Sequence, residues 1–219
     1  MTSALRAAIG VATGFLILVA GAGVSVSAAE PPNQREALSR KLALQKSNGA
    51  GWTALVQQAR ERASFCARCH GEDGNSIQPL VPNIAGQNPY YLLDQIAKFA
   101  DGRRNDYIMA PLARMFSEED RIVVAAYYST MTPRPYAVEA SLAQRGRTAY
   151  QRRCVSCHGP DAHGSEQYAR LAGQRVEYLR HRLFTFQQPT DAPTVMHGVA
   201  QGLVEEDIQA ITAYLASLP

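Results

Sequence analysis

The sequence predicts an all-α protein of two tandem helical units, and three observations carry that prediction. No alternating apolar and polar run is long enough for a strand, whereas apolar residues recur at helical spacing, as at Leu55, Val56 and Ala59. Like residues return at one offset: Gly86 and Gly173, Tyr91 and Tyr178, Phe99 and Phe186, Asp120 and Asp207, and Tyr127 and Tyr214 are each 87 residues apart. All four cysteines fall into two segments of one pattern, Cys66-Ala67-Arg68-Cys69-His70 and Cys154-Val155-Ser156-Cys157-His158. These segments are 88 residues apart, which places a one-residue deletion between His158 and Gly173.

The pattern C-x-x-C-H is the attachment signature of c-type haem. On one helical turn two thiols can reach the two vinyl groups of a haem and form thioethers, while the next residue turns its imidazole toward the iron. Cys66, Cys69 and His70 are thus expected to hold one haem, and Cys154, Cys157 and His158 a second. A zinc half-site or a thioredoxin-like dithiol would need a second ligand pair at short spacing or a βαβ context, and the sequence offers neither.

With 219 residues, 46% hydrophobic and 19% charged, the chain has the composition of a soluble protein of one large or two small domains. A unit of roughly 80 residues has a small core of its own, and a bound macrocycle adds apolar mass to it. The formal charge of +3 falls once the leader with Arg6 is removed, and haem propionates lower it further, so no nucleic-acid partner is expected.

The elements follow in order. Residues 7–29 carry no charge, and the apolar run from Phe15 to Ala20 leads to the small residues Val26 to Ala29. Residues 1–29 therefore read as a secretory signal peptide, and the folded part is expected outside the cytoplasm. The uncharged stretch is also long enough to anchor the chain in a bilayer, so membrane association is the rival reading. Residues 30–51 form an N-terminal extension: a short amphipathic run from Arg35 to Lys46, read as a surface helix on a flexible lead, ahead of the breaker segment Ser47 to Gly51. A first domain is expected over 52–131, with a helix from Trp52 that delivers Cys66 near its end. A second helix spans Tyr90 to Ala100, and a third begins after Ser117, an N-cap followed by acidic residues. Residues 132–138, rich in proline, read as a stiff linker. The second domain, 139–219, repeats these elements with Val204 in the place of the cap, so its last helix is expected to start less firmly.

The repeat also selects the second axial ligand. Met109 and Met196 are 87 residues apart, whereas Met115 aligns with Gly202 and Met131 with Leu218. A thioether favours ferrous iron and fills the last coordination position, so Met109 and Met196 are the expected partners of His70 and His158. His163, His181 and His197 have no histidine counterparts in the first half, although His197, beside Met196, could replace it or bond near a propionate. Arg103 and Arg104 precede Met109 without counterparts in the second half. Either one pairing with a propionate would raise the potential of the first haem above that of the second.

From Trp52 to Pro219 the chain resembles the diheme cytochrome c4 group of the class I c-type cytochromes. The resemblance rests on Cys66 to Ser76, on Pro82-Asn83-Ile84-Ala85-Gly86-Gln87, on Met109 seven residues before Phe116-Ser117-Glu118-Glu119-Asp120, and on the copies Leu171-Ala172-Gly173-Gln174 and Met196 before Leu203. It implies two cytochrome c-like helical domains, each wrapped around one covalent haem c with His/Met iron. It further implies a periplasmic carrier of single electrons between redox proteins of the respiratory chain. Such partners would meet an exposed haem edge through small, transient interfaces. The rival is a haem oxidoreductase, or its electron-accepting subunit, in which one Met dissociates; no acid, base or nucleophile constellation stands out to support it. One departure from the family concerns Pro82, whose counterpart is Ala169. That position commonly fixes the carbonyl that accepts the proximal imidazole N–H, so a looser second site is expected.

Overall fold

The computed structural model describes residues 32–47, 49–190 and 193–219, so the expected signal peptide lies outside the described residues. Those residues form helices and loops without a strand. The first half comprises α2 (Ala50–His70), α3 (Pro89–Asp101), α4 (Met109–Met115) and α5 (Glu118–Ser129). The second repeats them as α6 (Ala140–Arg153) with α7 (Val155–His158), then α8 (Val176–Gln187), α9 (Val195–Gln201) and α10 (Glu205–Ser217). In each half the first and last helices pack together, and the middle helix packs on the last helix and on the short one that follows it. Leu92, Leu93, Ile122, Ala125 and Tyr128 centre the first core, and Tyr150, Leu179, Ile208, Ile211 and Leu215 the second.

Local chemistry sets the helix ends. Asn88 accepts hydrogen bonds from the backbone N–H groups of Tyr90 and Tyr91 and opens α3, with Pro89 in the first turn, where its missing N–H costs nothing. Ser117 and Asp120 form a reciprocal capping box at the start of α5. Val204 offers no such bond to α10, which keeps only the three acidic residues of its first turn. Helices α6 and α10 approach each other closely. A Cβ at Gly146 would lie 1.9 Å from the carbonyl oxygen of Ala210, so only glycine fits this crossing.

The N-terminal extension differs from its expected form as a surface helix on a flexible lead. Its helix α1 (Pro32–Ser47) packs on the first domain, with Leu38 fully buried in the core and Leu42 against it. Lys41 pairs with Glu119 at 2.6 Å, and Arg35 reaches Glu166 of the second domain. Two leucines at i, i+4 in a polar run make a narrow stripe, which is why the sequence understated the docking.

Two candidate haem sites

Each site begins where a helix delivers its thiols and imidazole. Helix α2 runs through the first motif without interruption and ends on His70, which is 8% exposed. The His70 Nδ1 lies 2.8 Å from the carbonyl oxygen of Pro82. A carbonyl can only accept, so Nδ1 carries the proton and Nε2 keeps its lone pair for a metal. In the second domain His158 is equally buried, and its Nδ1 donates to the carbonyl oxygen of Ala169 at 2.9 Å. The looser proximal side expected from Ala169 is therefore not found. The backbone carbonyl makes the bond, and the side chain at that position does not alter it.

Burial pushes both imidazoles below their usual pKa, while the carbonyl bonds act the other way. Both are thus neutral near pH 7, the form that ligates iron. The Cys66 and Cys154 thiols are pushed up to about 11 by burial, and all four cysteines are free of disulfides.

The second motif is delivered differently. Leu55, Ala59 and Ala63 line the buried face of α2, and Gly146 and Tyr150 that of α6. Ala59 and Gly146, like Ala63 and Tyr150, are 87 residues apart, although Cys66 and Cys154 are 88 apart. One extra residue thus lies between Tyr150 and Cys154, and there the helix breaks into α6 and α7. The loop beyond compensates. The Gly74 carbonyl accepts from the N–H groups of Ile84 and Ala85, and the Ala162 carbonyl accepts from those of Leu171 and Ala172. Ten residues separate the first such pair and nine the second, which confines the deletion to residues 163–170. Gly74 adopts φ +74°, and its counterpart Ala162 φ +56°, the one non-glycine residue in that region among those described.

The expected sixth ligands take matching places. Met109 is the first residue of α4 and Met196 the second of α9, and both are half-buried. Asp106 accepts from the Met109 N–H at 2.8 Å and fixes that turn. Met115 is 78% exposed, and Met131 packs against the first core. The His197 Nδ1 accepts from the Thr194 N–H at 2.9 Å, capping α9, and its ring stands edge-on to Phe186. His181 is exposed, and His163 lies against the main-chain oxygen of Pro219. The structure separates the two arginines: Arg103 pairs with Asp101 on the surface, while Arg104 turns inward to Gln95 and Tyr178.

The two sites are joined by a pseudo-two-fold interface. Gln87 brackets Arg170, donating to its carbonyl at 2.9 Å and accepting from its N–H at 2.7 Å. Gln174 brackets Asn83 in the same way, at 2.8 Å in both directions. Gln87 and Gln174, and Asn83 and Arg170, are the same positions of the repeat, 87 residues apart. The segments that hold the proximal imidazoles therefore continue directly into the joint between domains. The residues alone missed this role, although the repeated Ala-Gly-Gln offered a signal for it.

The donor set fits haem c twice over: two thiols at the end of a helix, an oriented neutral imidazole, and a half-buried thioether. The large apolar side chains Ile77, Leu80, Tyr107 and Ile108, in the segments that follow His70 and precede Met109, are exposed, as the rim of an apolar macrocycle requires.

Residues 56–132 and 143–219 each match the cytochrome c family. The cytochrome c4 of Thiocapsa roseopersicina is 32% identical over 70% of this chain and 86% of its own. The thiosulfate dehydrogenase electron acceptor of Thiomonas intermedia is 32% identical over 78% of this chain and 84% of its own. The crystal structure of reduced recombinant cytochrome c4 from Pseudomonas stutzeri matches with a TM-score of 0.68 at 28% identity, covering 75% of this chain and 98% of that one. The chain belongs to the cytochrome c4 family, and it is a carrier of electrons with two covalently attached haems c.

Proposed function

We propose that this protein shuttles single electrons between respiratory redox partners in the periplasm, with His70 and Met109 on one iron and His158 and Met196 on the other. The observation that carries this reading is the matched placement of the two methionines, each half-buried in the first turn of the short helix that packs on α3 or α8. A bound haem supplies an iron that gains and loses one electron. The chain's own residues set the conditions: the Pro82 and Ala169 carbonyls orient the imidazoles, and the thioethers favour the ferrous state and close the sixth position. The uncharged stretch 7–29, preceded by Arg6, supports export. No helix among the described residues is long and apolar enough to cross a membrane.

The test is addition of carbon monoxide to the reduced protein. Closed sixth positions predict slow or absent binding at both haems. Rapid binding at one haem would contradict the carrier reading and favour an oxidoreductase in which one methionine dissociates.

A second reading is favoured by the relatives in Thiomonas intermedia and Stutzerimonas stutzeri, both named thiosulfate dehydrogenase electron acceptor. In it, one donor of this protein is an enzyme that oxidises thiosulfate. Rapid haem reduction by thiosulfate with a catalytic amount of a thiosulfate dehydrogenase would support it, and no reduction would remove it.

A further inference from the structure

The two proximal loops present the same carbonyl but are held from different sides. In the first domain Ser76 ties the loop to its own haem motif: its N–H donates to the side-chain oxygen of Asn83 at 2.8 Å, and its hydroxyl donates to the carbonyl oxygen of Cys69 at 2.9 Å. Pro82 stiffens that loop further through its fixed φ. The second loop, residues 163–170, has neither device. Ala169 stands in place of the proline, and among the described residues no side chain of this loop hydrogen-bonds to residues 154–158. Its backbone is pinned at the start, where the Gly164 N–H donates to the His158 carbonyl at 2.9 Å, and Tyr168 meets His158 only edge-on, with ring centroids 6.2 Å apart. Yet the Ala169 carbonyl keeps its bond to the imidazole at 2.9 Å.

What holds the second loop comes largely from outside it. At its ends His163 and Arg170 reach the main-chain oxygen of Pro219, and Gln87 of the first domain brackets the Arg170 backbone. Its middle is held from α1, where Arg35 pairs with Glu166 at 2.5 Å. These side chains are 44% and 54% exposed, and between two free side chains such a pair contributes little. Arg35 is not free. Leu38, one turn along, is fully buried in the first core, and the Arg35 guanidinium lies over the ring of Tyr90 at 4.6 Å. The Tyr90 hydroxyl is in turn hydrogen-bonded to Ser39 at 2.6 Å. Docking of α1 on the first domain thus orders the Arg35 side chain before it meets Glu166.

We propose that Arg35 is a positioning residue for the second haem: through Glu166 it braces the loop 163–170 from α1, and so holds the Ala169 carbonyl against the His158 imidazole. The proposal rests on the carrier reading, with His158 on the second iron, and makes the N-terminal extension part of that site. An imidazole that donates to a carbonyl is the more basic ligand and favours ferric iron, so a loosened carbonyl raises the potential. Bare charge acts differently: loss of a cation lowers a potential and loss of a carboxylate raises it. The brace therefore predicts upward shifts of the second potential from R35Q and from E166Q alike, whereas charge alone predicts shifts of opposite sign.

The test is redox titration of the holoprotein and of R35Q, E166Q, R40Q, R35E/E166R and R35Q/A169P variants, with NMR assigning each potential to its domain and following exchange of the His158 Nδ1–H proton. Haem content is measured first; fewer than two haems in the unaltered protein would sink the carrier reading itself, independently of the brace. R35Q and E166Q should each raise the second potential by about twofold or more in the ratio of reduced to oxidised haem, about 18 mV for one electron, and speed exchange of the His158 proton. The first potential should hold. R40Q removes a charge that pairs with Glu36 on the same helix, and should shift neither potential. The reversed pair R35E/E166R should restore the second potential. So should A169P in the R35Q background, because the Ala169 N–H donates no hydrogen bond among the described residues and a proline there stiffens the loop from within. Opposite shifts in R35Q and E166Q, no shift in either, an equal shift in R40Q, or failure of both rescues would overturn the proposal. Should R35Q lose haem, E166Q and its reversal decide by the same readings.

Discussion

The two domains have one skeleton and reach it with different residues. At the proximal side Pro82 and Ala169 present the same carbonyl to the imidazole, at 2.8 and 2.9 Å. At the turn after each motif Gly74 and Ala162 take the same left-handed conformation, easily in the first case and against steric cost in the second. The first motif ends an unbroken helix, whereas the second follows a one-residue insertion and a break at Cys154. The difference teaches that the repeat preserves backbone groups and the placement of donors, while side chains at the same positions are free to change. A carbonyl is supplied by every residue, so its position outlasts the residue that carries it.

The largest predicted effects come from breaking the equivalence of the methionines. M109A and M196A should each open one iron, giving a high-spin signal at half the haem and a fall in that haem's potential beyond tenfold in the ratio of reduced to oxidised form, about 59 mV. Magnetic circular dichroism and redox titration would read both. A variant that stays fully low-spin with an unchanged potential would remove its methionine from the ligand set.

A smaller effect separates the two turns. In G74A the new Cβ would sit 2.8 Å from the Ala85 nitrogen at a positive φ, so thermal unfolding should show a loss of about 2 kcal/mol. A162G relieves strain but removes a buried methyl, and should change stability by less than about 1 kcal/mol. Equal losses in the two variants would mean that the turns are not equivalent. The smallest effect is expected of P82A: His70 keeps its bond to the carbonyl, as His158 does at Ala169, and the first potential should hold within about twofold in the same ratio. A drop as large as that in M109A would show that the proline ring, and not the carbonyl, fixes the imidazole.

Much of this was legible in the sequence because covalent and coordination chemistry restricts residue type. Only cysteines form the thioethers and only a histidine follows them, so Cys66 to His70 and its copy announced themselves, and the helices around them followed from apolar spacing. Less was legible where backbone does the work. Ala169 looked like a departure because a carbonyl leaves no mark on residue identity. The insertion before Cys154 was hidden because two shifts of one residue cancel, and only the buried faces of α2 and α6 reveal the first. The short helices α4 and α9 were not anticipated, since seven residues give too little periodicity to detect.

The most direct test of the central claim, two haems each closed by histidine and methionine, is the near-infrared absorption of the oxidised holoprotein set against its haem content. The claim predicts two covalent haems and the methionine–iron charge-transfer band at full strength for both. Half that strength, or a high-spin band in its place, would contradict it by showing one iron without its methionine.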